Sequence, residues 1–183
     1  MIQGRDGNSY GTSVFGGQDG AGTVFKLTPA GALTALYAFC AQASCTDGEN
    51  PGGALALGID GNFYRTTFNE GAHSLGTIFK LTPGGALTVL HSFEGTDGSQ
   101  PAAGLVLASD GNFYGTTVYG GPGSSCPCGT VFKITTSGAL TTLHSFDYSN
   151  GYDSSAPLIQ ASDGNLYGTT AANPACLSYV IIN

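Results

Sequence analysis

The chain has 183 residues, of which 30 are glycine, 9% are charged and 41% are hydrophobic. Charged residues are too few for amphipathic helices, and the hydrophobic fraction is too high for a disordered chain, so an all-β globular protein is predicted. The formal net charge of −7 argues against nucleic acid as a partner, and no apolar run reaches the about 18 residues of a membrane span.

A string of eight residues occurs four times, at spacings of 54, 50 and 53 residues. The copies are DGNSYGTS, DGNFYRTT, DGNFYGTT and DGNLYGTT, which begin at Asp6, Asp60, Asp110 and Asp163. A second string, GTVFKLTPAGALTALYAF in its first copy, spans 22–39, 76–93 and 129–146. A period near 50 residues built from short β-patterned runs is typical of a propeller blade, since one such unit cannot bury both its faces alone.

The third copy shows the predicted strands in chain order. They are strand A at 105–109, strand B at 113–117, strand C at 130–135 and strand D at 139–146. Asp110-Gly111-Asn112 forms a tight hairpin turn between A and B, because Asp accepts backbone hydrogen bonds and Gly tolerates a positive φ. We therefore predict an all-β, β-propeller-like array of four-stranded antiparallel blades.

The copies predict a single repeat domain over 1–183, with repeats at about 1–51, 52–101, 102–156 and 157–183. The last repeat is truncated, and Tyr179 to Ile182 is the candidate for its strand C. Because the sequence begins and stops within repeats, we expect a fragment of a longer array or an incomplete ring. Uncovered blade faces in such an array favour self-association.

The DGNFYGTT and GTVFKLTP…GALTTLHSF strings resemble the GloVer tandem repeat of bacterial choice-of-anchor surface proteins, over nearly the whole chain. The resemblance implies a secreted or surface-anchored repeat protein and carries no catalytic residues. Arg65 departs from the repeat pattern, which has glycine at this position in the other three copies. A long cation at the centre of strand B needs room and a partner, and Glu70 and Asp19 are the candidates; the alternative is an exposed edge substitution of no consequence.

Antiparallel strands put the A–B and C–D turns on one side of a blade and the variable B–C and D–A loops on the other. Eight acidic residues fall in the variable loops: Asp19, Asp47, Glu49, Glu70, Glu94, Asp97, Asp147 and Asp153. Charged residues favour exposed loops in any protein; the functional interpretation is a site for Ca²⁺, a sugar or a basic partner. The candidate ligand-binding residues are Asp19, Asp47, Glu49, Arg65, Glu70, His73, Glu94 and Asp97.

Two functions compete. Rigid repeats with variable loops, and no recognisable spacing of nucleophile and base, favour a non-catalytic extracellular or cell-surface module for ligand binding or display. Its partner would be a polysaccharide or a surface protein. The alternative is a carbohydrate-active enzyme, a glycoside hydrolase or lyase, whose acid and base come from Glu49, Glu70 and Glu94. No metal site or cofactor is predicted, with Ca²⁺ as the one alternative.

Five cysteines bear on the compartment. Cys40 and Cys45 bracket a short D–A loop and are the preferred disulfide, and Cys126 or Cys128 with Cys176 is a second candidate pairing. Disulfides agree with an extracellular or cell-surface location, whereas five thiols in a reducing cytoplasm are the alternative.

A tyrosine is repeated as the fifth residue of each eight-residue string. Its copies are Tyr10, Tyr64, Tyr114 and Tyr167. The prediction for this position is packing between blades, in preference to an aromatic platform for sugars.

Overall fold

A computed structural model describes residues 1–122 and 128–171 and the backbone of 179–182. The described residues form fifteen β-strands and one short 3₁₀ helix, Ala43–Cys45. The all-β prediction is confirmed. None of the described helical structure has the length and apolar character that crossing a membrane requires.

The strands form four antiparallel sheets, one from each repeat, which we call blades 1 to 4. Blade 1 contains β1 (Ile2–Gln3), β2 (Ser9–Ser13), β3 (Thr23–Leu27) and β4 (Leu33–Ala38). Blade 2 contains β5 (Ala56–Leu57), β6 (Phe63–Thr67), β7 (Thr77–Leu81) and β8 (Leu87–Ser92). Blade 3 contains β9 (Val106–Leu107), β10 (Phe113–Thr116), β11 (Thr130–Ile134) and β12 (Leu140–Ser145). Blade 4 contains β13 (Ile159–Gln160), β14 (Leu166–Thr169) and β15 (Tyr179–Ile182).

Strand order within each blade follows the sequence, as the meander predicts. β15 pairs with β14 and is the expected strand C of the truncated repeat. Strand A is shorter than predicted, at two residues, because the residue after it already belongs to the turn: the Ala108 N–H donates to the Asn112 carbonyl. In blades 1 to 3, the third and fourth strands shift register by one residue, which marks a β-bulge.

The chain divides into two compact units, Met1–Ser92 and Phe93–Asn183. Unit 1 holds blades 1 and 2, and its core lies between their sheets. Tyr10 of blade 1 packs on Phe63 of blade 2 with ring centroids 4.2 Å apart, and Phe39 packs edge-on against Phe79 at 5.2 Å. Tyr10 is fully buried, so the repeated tyrosine packs between blades here, as predicted.

Unit 2 holds blades 3 and 4 and repeats this arrangement. Val131 and Phe146 of blade 3 form a buried cluster with Leu158 and Leu166 of blade 4. Tyr114, the equivalent of Tyr10, packs against the same cluster. Each unit therefore buries apolar side chains between two consecutive blades, which covers one face of each blade.

All four DGN turns have the same internal hydrogen bonds. In the first, the Asn8 backbone N–H donates to Asp6 Oδ1 at 3.2 Å, and the Tyr10 hydroxyl donates to Asp6 Oδ2. The corresponding tyrosine-to-aspartate distances lie between 2.6 and 2.9 Å. The Tyr10 hydroxyl is the main cause that holds the pKa of Asp6 below its usual value. Burial, followed by the aspartate, raises the pKa of Tyr10 to about 12.

Candidate functional site

Each D–A loop is hydrogen-bonded to the B–C loop of the blade that follows it. In unit 1, Glu49 and Asn69 exchange two backbone hydrogen bonds of 2.9 and 3.1 Å. In unit 2, Ser99 and Tyr119 do the same at 2.7 and 3.2 Å. The variable loops of consecutive blades thus meet in each unit. We call 14–22, 40–53 and 68–76 the loop face of unit 1, and 94–103, 118–122 and 147–156 the loop face of unit 2.

Asn50 joins the three loops of unit 1. Its backbone N–H donates to the Ala21 carbonyl at 2.8 Å, and its carbonyl accepts the Phe68 N–H at 3.2 Å. Its side chain donates to the Val14 carbonyl at 3.1 Å and accepts from the Asn69 amide at 2.8 Å. All four hydrogen bonds are made to loop backbone or to a neighbouring side-chain amide. They hold the three loops of unit 1 in a fixed arrangement, which we call a fixed frame.

The position of Asn50 has an unusual backbone in all three D–A loops. Asn50, Gln100 and Asp153 have φ values of 57°, 52° and 57°. The left-handed region costs a residue with a Cβ about 1 kcal/mol or more, so the surrounding hydrogen bonds must hold it there. The sequence analysis did not identify this position. The only signal was a polar residue of changing type, which precedes proline in two copies.

Asp47, a ligand-binding candidate, lies inside the D–A loop of unit 1 and is fully buried. Its carboxylate accepts hydrogen bonds from the Tyr37 hydroxyl at 2.8 Å, the Ala41 N–H at 3.0 Å and the Gln42 N–H at 3.3 Å. Burial first, and then the Asp47 carboxylate, raise the pKa of Tyr37. In this arrangement the carboxylate organises its own loop.

The Cys40–Cys45 disulfide closes the same loop, in line with the preferred pairing. Cys128 is disulfide-bonded as well. Cys126 and Cys176, the other two candidates, lie outside the described residues. The D–A loop of unit 1 therefore has a covalent constraint in addition to the Asp47 hydrogen bonds.

Arg65 lies in β6 and is 2% exposed. Its guanidinium packs on the Gly53 backbone, where a Cβ would come within 2.6 Å of Nη2. Burial lowers the pKa of Arg65 to about 10. Of the two acidic residues expected as its partners, Glu70 accepts a hydrogen bond from Ser74 at 3.4 Å, and Asp19 is exposed.

The other acidic candidates fall into two small groups. In unit 1, Glu49 and Glu70 are half-buried and lie on adjoining loop segments, because Glu49 pairs with the residue that precedes Glu70. Glu70 has a φ of 58° at a repeat position that is glycine in the first and third copies. In unit 2, exposed Glu94 donates its N–H to the half-buried Asp97 carboxylate at 2.9 Å.

His73 is exposed on the loop face of unit 1. Within the described ranges, no three His, Cys, Asp or Glu side chains come together as a metal site would require. The structure thus brings together Glu49 and Glu70 in one unit and Glu94 and Asp97 in the other.

Aromatic side chains on the loop faces were not identified from the sequence as a site. Tyr148 is 58% exposed and lies edge-to-face with Tyr152, with ring centroids 5.6 Å apart. Tyr152 packs against the core of unit 2, and Asp147 orders the turn between them by accepting the Ser149 N–H at 2.8 Å. The pair therefore presents a supported aromatic surface on the loop face of unit 2.

Comparison with known proteins identifies the repeat. The family model described as the Gloeobacter/Verrucomicrobia repeat matches residues 1–178. The chain belongs to this repeat family. Among curated proteins, none matches the sequence.

Two solved structures share the fold at low sequence identity. One is a protein named as a gluconolactonase, with a TM-score of 0.51 and 17% identity over 87% of this chain and 56% of that chain. The other is a gluconolactonase from Xanthomonas campestris, with a TM-score of 0.52 and 16% identity over 87% of this chain and 50% of that chain. This likeness shows the β-propeller-like fold alone, and the repeat chain spans about half the length of these two structures.

Proposed function

We propose that the chain is a non-catalytic module for ligand binding or display that works outside the cell or at the cell surface. The observation that carries this proposal is the Asn50 junction, which holds three loops of different sequence in one frame. Ligand binding to a fixed frame loses less conformational entropy than binding to mobile loops. The uniform DGN turns maintain the blades, so the loops are free to vary for recognition.

The proposed location rests on the disulfides. The Cys40–Cys45 bond is formed, and Cys128 is also bonded. Such bonds persist in oxidising compartments and are reduced in most cytoplasms. The resemblance to repeats of bacterial surface proteins agrees with an extracellular or cell-surface location.

The ligand classes that fit the loop faces are a polysaccharide and a surface protein. In unit 2, the exposed Tyr148 ring offers a flat apolar surface of the kind that packs against the C–H face of a sugar ring. In unit 1, Asp19 and His73 are exposed and supply polar contacts. A basic patch on a protein partner would also complement the acidic loops.

A carbohydrate-active enzyme is the second candidate function, and the adjoining positions of Glu49 and Glu70 favour it. Glycoside hydrolases use two carboxyl groups, at about 5.5 Å in retaining enzymes and about 6.5 to 9.5 Å in inverting ones. Since the similar structures are named as gluconolactonases, a sugar lactone belongs among the substrates tested.

A glycan array combined with hydrolysis assays on polysaccharides and a sugar lactone, with and without Ca²⁺, tests the proposal. The proteins are the wild type and Glu49→Gln, Glu70→Gln, Glu94→Gln and Tyr148→Ala. We expect binding without turnover, and an about tenfold weaker affinity for Tyr148→Ala. Ile59→Ala is the control, because Ile59 is 66% exposed and lies beside a DGN turn, outside both loop faces. Turnover that one glutamine variant abolishes would overturn the proposal in favour of the enzyme.

A further inference from the structure

Blade 4 has an apolar face that no blade covers in the described residues. In blade 3, Val106 and Tyr114 pack on the cluster that includes Leu166 of blade 4. The same repeat positions in blade 4 hold Ile159 and Tyr167. Ile159 is 64% exposed and Tyr167 is only half-buried. The residue types of a blade interface are thus present on blade 4 without a covering partner.

A groove of about 210 Å³ opens on this surface, which we call the blade 4 face. It is lined by Pro157, Ile159, Tyr167, Gly168 and Thr169. Nearly all of the lining surface is apolar. The groove is therefore shaped and composed for apolar side chains.

The threonine at the repeat position of Thr169 makes a hydrogen bond to the D–A loop that leads into the next blade, in both units. Thr12 Oγ1 of blade 1 donates to the Gly53 carbonyl at 2.7 Å, and Thr116 Oγ1 of blade 3 donates to the Ser154 carbonyl at 3.1 Å. Thr169 is the equivalent in blade 4 and is exposed. Its hydroxyl is positioned to donate to a backbone carbonyl of whatever covers the blade 4 face.

Blade 1 carries the complementary half of such an interface. In blade 2, the surface that packs on blade 1 consists of four residues that are at most 3% exposed: Leu55, Phe63, Phe79 and Leu81. Their equivalents in blade 1 are Met1, Ser9, Phe25 and Leu27. Met1 is 69% exposed, and the other three are half-buried. We call this surface the blade 1 face.

We propose that the blade 4 face of one copy docks head to tail on the blade 1 face of a second copy. The contact would repeat the one that joins consecutive blades within each unit, with Ile159 and Tyr167 packed on Phe25 and Leu27. The aligned part of the chain covers 56% and 50% of the two similar structures, so about half of each lies beyond the matched blades, the share that a second copy would supply. A head-to-tail contact joins two different surfaces, and each can therefore be disabled separately.

Sedimentation velocity over a range of concentrations tests the contact. The wild type is expected to sediment with at least twice the mass of one chain, as a dimer if a second contact closes the ring and as longer assemblies otherwise. Ile159→Lys and Leu27→Lys are each expected to weaken self-association by about tenfold or more, because each places a charge in an apolar contact. Ile59→Lys is the matched control: Ile59 is 66% exposed, close to the 64% of Ile159, and belongs to neither face, so this variant should associate like the wild type.

Mixing the two disabled variants gives the decisive arm of the experiment. Ile159→Lys keeps an intact blade 1 face and Leu27→Lys keeps an intact blade 4 face, so the mixture should form a heterodimer that neither variant forms alone. A circular dichroism spectrum like that of the wild type establishes that each variant is folded. A wild type that is monomeric at every concentration, or self-association that Ile159→Lys leaves unchanged, would overturn the proposal and assign the face to another partner.

Discussion

Replacing Asp47 with alanine is expected to destabilise the protein substantially. The buried carboxylate accepts three hydrogen bonds, one from the Tyr37 hydroxyl and two from the backbone at Ala41 and Gln42. Hydrogen bonds to a charged group contribute about 1.5 to 3 kcal/mol each. Ala41 and Gln42 are exposed, so in the variant water can accept hydrogen bonds from their N–H groups. The loss of these two hydrogen bonds therefore costs less than the loss of the bond from Tyr37. The expected loss is about 3 kcal/mol, a large part of the about 5 to 15 kcal/mol typical of a folded protein.

Urea unfolding of Asp47→Ala beside Asp19→Ala measures this loss. Asp19 is an exposed loop carboxylate, and its removal should change the free energy of unfolding by less than about 0.5 kcal/mol. Tyr37→Phe should cost about 1 kcal/mol, and the double variant less than the sum of the two single variants, because both remove one shared hydrogen bond. An Asp47→Ala protein as stable as Asp19→Ala would refute this assignment. Lost ligand binding at full stability would instead make Asp47 a ligand-binding residue.

Three further substitutions test the turns and the loop of unit 1. Tyr10→Phe should raise the pKa of Asp6 toward 3.8, because the hydroxyl is the main cause of the lowered value. A lowered pKa of Asp6 contributes stability above the pKa of the unfolded state, and this stability is lost as the pH falls through the pKa of the folded state. Tyr10→Phe should therefore lose less stability than the wild type when the pH falls below about 4. An Asp6 titration by NMR that is the same in both proteins would contradict this. Gly48→Ala should lower the melting temperature, because φ is 95° and a Cβ would overlap the threonine packed against it; a melting temperature equal to that of the wild type would count against it. Cys40→Ser with Cys45→Ser should cost about 2 kcal/mol in urea unfolding, from the entropy of a short closed loop, and an equal midpoint would show that the disulfide adds no stability.

The blades could be predicted because their determinants are local and repeated. A DGN turn fixes a hairpin through its own aspartate and glycine, and four copies at spacings of 50 to 54 residues indicate where each strand begins. The strand C of the last repeat, Tyr179–Ile182, was predicted in the same way and is present as β15. The hydrogen bond that the Tyr10 hydroxyl donates to Asp6 was not predicted, since packing between blades already explained the tyrosine.

The sequence predicts on which side of a blade the variable loops lie, but it does not predict the contacts within them. The string TDGENP identifies a polar loop around Asp47, but its burial depends on Tyr37, which lies on the preceding strand. An acidic partner was expected for Arg65, and the contact of its guanidinium with the backbone at Gly53 was not. In each case the contact joins a strand to a neighbouring loop whose sequence differs between the copies, and a repeat pattern carries no information on such contacts.

Mapping a bound ligand by NMR chemical shifts, while following its chemical integrity by mass spectrometry, tests the proposed binding function most directly. The ligand is the glycan or protein that binds in the array. The account predicts shift changes confined to the loop faces, at 14–22, 40–53 and 68–76 or at 94–103, 118–122 and 147–156, and a ligand recovered unchanged. Shift changes centred on the DGN turns, or a ligand converted to product, would contradict it.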